Sequence, residues 1–436
     1  MLKNERKEYQ NFNIDQFYKK YLNGPKIFTK RDALEPSYIP NDLPHRDTEI
    51  EQIASKTACA LRGDTPPNFL CYGMTGTGKT ATIRYISQKL AQFTKKNKPW
   101  WIYINCSIVS TPYRILAHIY NTIVGSEKIP PTGLPKDVIF KKLLGLLDHK
   151  IKESICFLVL DEIDMIADKR GGNEILYDLT RLNENLDNCR TCLIGISNKL
   201  KFKESLDPRV ISSLGKEHIT FSTYNARELG DILNDRAKIA FHENVLKEGV
   251  IPLCAALAAK EHGDARKALQ LLRKAGEIAE RTQNKRVTPE HVNKAQLELE
   301  SDQIIDYIRG MPLQAQLVLT AIYLISKFSR ERIIVSGDIY EVHDELTNKI
   351  PGVRTLTRRR ISDYINELSL AGIITATKKS LGYYGRTKVI GIDIDMKLLE
   401  NVLYEIPKIK GLLNYKPILI QNKKVRINNN IFRKLS

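Results

Sequence analysis

Residues 73–80 read GMTGTGKT, with the apolar run NFLCYG leading in and ATIRYISQKLAQF leading out. The stretch fits G-x-x-x-x-G-K-[ST]. Its neighbours predict a strand before it and an amphipathic helix after it. This order constrains the fold more than any other feature of the chain. Only flexible residues let successive backbone N–H groups converge on phosphate oxygens, and the helix N-terminus behind them adds partial positive charge. The pattern implies a nucleoside triphosphate held by Gly73, Met74, Thr75, Gly76, Thr77, Gly78, Lys79, Thr80 and Ala81. Lys79 would reach the β- and γ-phosphates, and Thr80 would ligate Mg²⁺.

The 436 residues suffice for about three domains. A hydrophobic content of 42% supports packed cores. Apolar β-type runs at 68–73, 100–106, 155–162, 191–197 and 218–222 alternate with helical stretches. That alternation predicts an α/β parallel sheet covered on both faces. After residue 223 the strands stop and three helical stretches follow; Thr288-Pro289 marks one helix start. From about 310, three helices precede two β-like runs, IITATKK and TKVIGIDI, the order of a winged helix-turn-helix. The reading is a lead-in (1–35), a P-loop domain (36–223), an all-helical lid domain (224–305), a winged helix (306–404) and a basic, aperiodic tail (405–436).

Net charge is +18 and the pI about 9.4, which points to a polyanionic partner, nucleic acid or an anionic membrane surface. The start, MLKNERKEYQNF, lacks an apolar signal region, and no run approaches the ~18 residues of a membrane helix. A soluble intracellular chain is expected. Seven cysteines are scattered; Cys189 and Cys192 form a C-x-x-C with no second pair or nearby histidine, so neither a disulfide framework nor a zinc site is expected.

The run FLVLDE ends in two acids, which suits Asp161 to hold Mg²⁺ through water and Glu162 to orient an attacking water. Asn198 ends the next strand, where its side chain would lie beside the γ-phosphate. Arg209, in LDPRVISSLG, could enter a neighbouring subunit's site, or simply form a surface salt bridge. Arg266, in HGDARKALQLL, starts a helix whose buried face carries Leu269 and Leu272, and could reach back to the γ-phosphate. Residues 301–436 hold 22 basic and 13 acidic side chains. Ile361, Ile365 and Leu368 make a core stripe on one helix, with Arg358 and Arg359 at its start pointing away. Arg354, Thr355 and Thr357 precede it and could bind phosphate. Lys378, Lys379, Tyr383, Tyr384 and Arg386 surround the hairpin tip, where basic and aromatic residues suit the minor groove or backbone.

Taken together, YGMTGTGKT, LVLDEID, GISN, LDPRVISSLG, HGDARKAL and the winged helix resemble the archaeal initiators of the origin recognition complex and cell-division-cycle-six type, AAA+ ATPases. The resemblance covers roughly 36–400. It gives meaning to the gap of 82 positions between Lys79 and Asp161, where initiators carry a helical insertion, here near 107–140. It implies that the insertion tip, with Pro131, Thr132 and Gly133, grips duplex DNA. It also places Tyr38, Ile39 and Arg46 near the adenine, and Tyr224 and Arg236 near the nucleotide. The implied function is ATP-dependent recognition of a replication origin and recruitment of the replicative minichromosome maintenance helicase. The resemblance further implies slow hydrolysis acting as a switch, with ATP/ADP and Mg²⁺ as cofactors. Origin duplex DNA and other initiator paralogues are the implied partners, with no membrane, in the cytoplasm at the nucleoid. The tail after about 405 does not match the family pattern; a DNA-binding arm and a solvated end both remain open. A P-loop transcription regulator with a winged-helix reader, or a clamp-loader-like subunit, would use many of the same residues.

Overall fold

A computed structural model describes residues 18, 24–94, 98–130, 132–167, 169–214, 216–329, 333–380 and 386–421. The chain forms two compact units, divided between Gln296 and Leu297.

The first unit is built on a five-stranded sheet of β1 (Phe69–Gly73), β2 (Trp100–Asn105), β3 (Ile155–Asp161), β4 (Arg190–Ser197) and β5 (Glu217–Phe221). The spatial order is β2-β3-β4-β1-β5, and every pairing is parallel. All five expected strands form, and the sheet is parallel as expected. Side chains alternate between two cores. On one face Phe69, Cys71, Phe157 and Ile194 pack on Ile83, Ile86 and Leu90 of the helix Lys79–Phe93. On the other, Leu70, Ile104, Leu158 and Leu193 pack on Ile115 and Ile119 of the helix Pro112–Val124 and on Leu143 and Leu147 of Lys136–Lys150. Burial on both faces is why the strands read as unbroken apolar runs. The insertion between β2 and β3 is therefore also a structural layer.

After β5 the chain turns helical, with Ala226–Ala240, Val250–Lys260, Ala265–Arg281 and Pro289–Gly310. Asn225 and Glu228 form a capping box that starts the first of these. Residues 24–35, expected only as a lead-in, pack against this helical part. Ile27 and Leu34 are buried, Phe28 packs at a tilt on Phe241 with ring centroids 4.8 Å apart, and Arg31 meets Glu280 at 2.6 Å.

In the second unit, Leu313–Phe328, Ser336–Thr347 and Arg358–Leu370 surround a core edged by a three-stranded sheet. Its strands are β6 (Ile334–Val335), β7 (Ile374–Ser380) and β8 (Arg386–Ile392), ordered β6-β8-β7. Leu313–Phe328 is buried without a break from Ala315 to Ile325, as befits a central helix. Here one expectation is corrected. Residues 405–421 do not trail away as an aperiodic tail: after Met396–Glu405, the short helices Pro407–Lys410 and Ile418–Gln421 form, Ile409, Leu412 and Leu413 join the core, and Ile420 is buried as well. Their apolar residues are too irregularly spaced to read as an amphipathic helix, yet they bury as well as one.

The sheet core makes a direct stability prediction. Phe157 is fully buried and stacks on Trp101 at 4.1 Å. Phe157→Ala should lower unfolding free energy by about 3–5 kcal/mol, measured by chemical denaturation. A loss below about 1 kcal/mol would mean the site collapses around the cavity.

Candidate functional site

Because β4 lies between β3 and β1, the carboxyl ends of three strands stand side by side. β1 delivers the glycine-rich loop, β3 delivers Asp161, and β4 delivers Asn198 one residue beyond Ser197, the register partner of Tyr72. Open α/β sheets bind ligands at such edges.

Two glycines let neighbouring segments close on the loop. Gly76 has φ +72, and a Cβ there would sit 1.7 Å from Asp264 Oδ1. Gly78 has φ +90, and a Cβ would come within 2.9 Å of the Tyr224 hydroxyl. The Ala265 N–H donates to the Gly76 carbonyl at 3.2 Å. Asp264, the N-cap of Ala265–Arg281, accepts from Arg266 N at 2.8 Å. Thus the helix start carrying Arg266 rests on the phosphate loop itself. Arg266 is exposed, as its place in the sequence predicts.

Lys79 is 5% exposed; its Nζ donates to the Gly73 and Met74 carbonyls at 2.9 and 2.7 Å. Burial, and next the Arg266 charge, pull its pKa down to about 8, against Asp161 and Asp264, which raise it. Thr80 Oγ1 donates to Asp161 Oδ2 at 2.8 Å. A hydroxyl and a carboxylate so close are hard oxygen donors suited to Mg²⁺. Asp161 Oδ1 accepts the Glu162 N–H at 3.0 Å, across a backbone at φ +55. A non-glycine residue held there costs of order ~1–3 kcal/mol, so the turn after β3 is held by its surroundings.

Asp164 was not anticipated. It is buried, accepts from Ser197 Oγ at 2.9 Å and pairs with Lys199 at 3.6 Å. This ties the end of β3 to the end of β4 and locates half-buried Asn198. Nothing in its spacing marks it apart from the other acids of DEID. Asp264 was also passed over, though an Asp just before a helical run is an N-cap signal.

Arg46 and Arg236, expected near the nucleotide, donate mainly to backbone carbonyls. Arg46 is 2% exposed and donates to Thr77 O at 2.9 Å, Ser222 O at 2.7 Å and His45 O at 2.9 Å, with its guanidinium 3.8 Å from the Tyr224 ring centroid. It braces the loop rather than presenting a free fork. Arg236 donates to Ala33 O and Tyr38 O at 3.0 and 3.1 Å and lies over the Tyr38 ring, fastening half-buried Tyr38 and its neighbour Ile39 to the helical part. Arg209 is exposed, forked onto Asp207 at 3.1 and 3.0 Å and stacked over Tyr177. Cys189 and Cys192 are both buried, and their thiols donate to different carbonyls, Arg190 O and Pro67 O.

At the insertion tip Thr132 and Gly133 are exposed. The loop is pinned on both sides: Tyr113 Oη donates to Pro130 O and accepts from Leu134 N, while Asn121 holds Lys128 and Ile129. Pro131 lies outside the described residues. In the winged helix, Arg354, Arg358 and Arg359 are exposed, while Ile361, Ile365 and Leu368 are buried as the stripe predicts. Both threonines are used locally. Thr357 caps the helix by accepting from Arg360 N, and Thr355 donates to Asp344 at 2.7 Å. Lys378 is exposed; Tyr383 and Tyr384 lie outside the described residues, as do the side chains of Lys379 and Arg386. Lys388, missed by sequence reading, joins the wing to the helix by donating to Ser362 Oγ at 2.6 Å and Asn366 Oδ1 at 2.8 Å.

Three family models match: an AAA domain over residues 62–201, a Cdc6 AAA+ ATPase-type lid domain over 230–297, and a CDC6 C-terminal winged helix domain over 306–402. An ORC1-type DNA replication protein of Pyrococcus furiosus is 48% identical over 404 residues, covering 92% of this chain and 95% of that protein. The chain belongs to the archaeal ORC1/Cdc6 family of replication initiators. The ORC1-type DNA replication protein 1 of Methanosarcina mazei is 43% identical over 406 residues, covering 92% of this chain and 96% of that protein. The structure of the Aeropyrum pernix ORC1 protein in complex with DNA aligns with a TM-score of 0.75 and 43% identity, over 89% of this chain and 99% of that one. As an ORC1-type initiator the chain combines an AAA+ ATPase core, which binds nucleotide, with a lid and a DNA-binding winged helix. No helix among the described residues is long and apolar enough to cross a membrane.

The Lys79 environment predicts a proton linkage. Its ordinary pKa is 10.5 and falls to about 8 in the free chain. Between those values the unfolded chain binds more protons, so free-chain stability rises with pH there. Phosphate against Nζ would restore the charge, so nucleotide binding at about pH 9 should take up a proton, and at about pH 7 none. Calorimetry in buffers of different ionisation heat reads this directly. Equal uptake at both values, or its persistence in Lys79→Met, would refute the assignment.

Proposed function

We propose that this ORC1-type chain recognises duplex DNA at a replication origin in an ATP-dependent manner and brings the replicative minichromosome maintenance helicase to it, acting in the cytoplasm at the nucleoid. The observation that carries the DNA reading is Arg358 and Arg359, exposed in the first turn of a helix whose other face is locked into the core. In a helix-turn-helix that turn meets base edges. Arg354, Lys378 and the pinned Thr132–Gly133 tip supply further contacts to backbone or groove. The Aeropyrum pernix relative, solved on DNA, supports the same use of this architecture.

The nucleotide is best read as a switch with slow hydrolysis. Lys79 would neutralise phosphate charge, and Thr80 and Asp161 would hold Mg²⁺, which when bound would offset charge on the phosphate oxygens. Glu162 orients the water, and Asn198 steadies it. Arg266 senses the γ-phosphate, and the lid start resting on Gly76 transmits loop movement to the lid. Arg209 enters a neighbouring initiator's site once its fork leaves Asp207, an exposed pair of small worth. Tyr38, Ile39 and Tyr224 enclose the base, with Arg46 and Arg236 holding them and the loop.

Footprinting on the host's chromosome fragments with ATP, with ADP and with Glu162→Gln tests this. Protection of a short repeated element beside AT-rich DNA, changing with nucleotide, is expected. Protection of many promoters with no such neighbour would replace it with transcriptional control. Arg358→Ala and Arg359→Ala should each cost about 1–3 kcal/mol on the preferred sequence if they read guanine edges. Equal losses on every sequence would reassign them to phosphates.

A further inference from the structure

The wing and the arginine-bearing helix meet at one ammonium group. Lys388, on β8, donates from Nζ to Ser362 Oγ at 2.6 Å, to the Ser362 carbonyl at 3.3 Å and to Asn366 Oδ1 at 2.8 Å. All three of its hydrogens are thereby committed to the helix Arg358–Leu370. An ammonium can only donate, so the Asn366 amide must turn its oxygen to Lys388. The two hydrogens on Asn366 Nδ2 have no partner among the described residues, and the side chain is exposed.

Asn366 shares a helix face with Arg359. It stands seven positions later, almost two full turns, with Ser362 between them. Ile361, Ile365 and Leu368 bury a different side of the helix. On the wing, Lys378 stands directly opposite Lys388 in the ladder, on the same side of the sheet, and is exposed. Two like charges side by side favour an anion at that corner. A duplex seated on Arg358 and Arg359 would bring a phosphate to Lys378 and a base edge to Asn366.

In the major groove guanine offers two adjacent acceptors and thymine one, while adenine sets an acceptor beside a donor and cytosine offers a donor. An asparagine with both ends free grips adenine through its oxygen and nitrogen together. Asn366 lacks that option, because Lys388 holds its oxygen.

We propose that Asn366 is a specificity-determining residue that reads an acceptor of guanine or thymine, and that Lys388 is the positioning residue that denies it adenine. The proposal rests on the duplex-DNA reading above. It gives Asn366 a base position of its own, apart from those of Arg358 and Arg359.

The test measures, by fluorescence anisotropy, the affinity of the full chain for duplexes altered one base pair at a time across its preferred site. The intact chain is compared with Asn366→Ala, Asn366→Asp and Lys388→Met. At one position the intact chain should prefer guanine or thymine. Asn366→Ala should erase that preference, losing about five- to twentyfold on the preferred base and little on the others. Asn366→Asp, which offers acceptors only, should move the preference toward cytosine. In Lys388→Met the freed oxygen can accept from adenine, so adenine should gain on guanine at that position by about fivefold or more. The unfolding midpoint of Asn366→Ala should match that of the intact chain. An equal loss on all four bases in Asn366→Ala would make the contact one to phosphate and overturn the proposal. No loss at all would overturn it too, as would a preference for adenine at the position Asn366 governs. Unchanged discrimination against adenine in a folded Lys388→Met protein would overturn the role given to Lys388. No duplex binding by the intact chain would instead bring down the reading on which Asn366 depends.

Discussion

A buried guanidinium holds the phosphate-binding loop in shape. Arg46 sits beneath the loop with its donors on Thr77, Ser222 and His45 carbonyls and its face on Tyr224. It joins the segment before the helix Asp47–Thr57, the loop after β1 and the crossing after β5. A charge in so dry a place persists only with its hydrogen bonds satisfied and an acid beside it, here Glu49 at 3.3 Å, and removing one partner of such a buried pair commonly costs about 3–5 kcal/mol. With the loop held, Gly76 and Gly78 lie where Asp264 and Tyr224 can close on them, and the lid is seated on the very residues that would touch phosphate.

Charge completes what packing begins. Arg266 is near enough to Lys79 to lower its pKa, while Asp161 is near enough to raise it. Two cations forced together favour an anion between them, and the acid–hydroxyl pair of Asp161 and Thr80 favours a metal. Asp164 plays a quieter part: by pinning Ser197 it keeps the end of β4 level with that of β3, so Asn198 stays between the acids and the loop.

The winged helix follows a similar economy. Its arginines are free to be exposed because Ile361, Ile365 and Leu368 hold the helix from behind. Its threonines shape the turn through a cap and a bond to Asp344. The insertion tip is likewise exposed at its centre and tied at its flanks by Tyr113 and Asn121. Exposed polar contacts carried on braced backbone suit recognition of a stiff, charged partner, since little ordering remains to be done on binding.

Much of this was legible in residue order. The loop pattern, the five apolar runs and the helical periods specify the sheet, the lid and the winged helix, because local patterning follows from which faces must be buried. The positions of Asp161, Asn198 and Arg266 were also legible, as each ends a strand or begins a helix. Other roles depend on residues far apart in the chain. Arg46 is placed near the adenine only by resemblance, and its bonds to Thr77 and Ser222 are not readable in the sequence; Asp164 is one acid among several until β4 arrives. The strap from 405 to 421 looks aperiodic until Glu345 and the winged-helix core supply its partners. Periodicity reports only a face buried along one element. A bond between segments two hundred positions apart, or a chain end folded back onto a core, leaves no period to read.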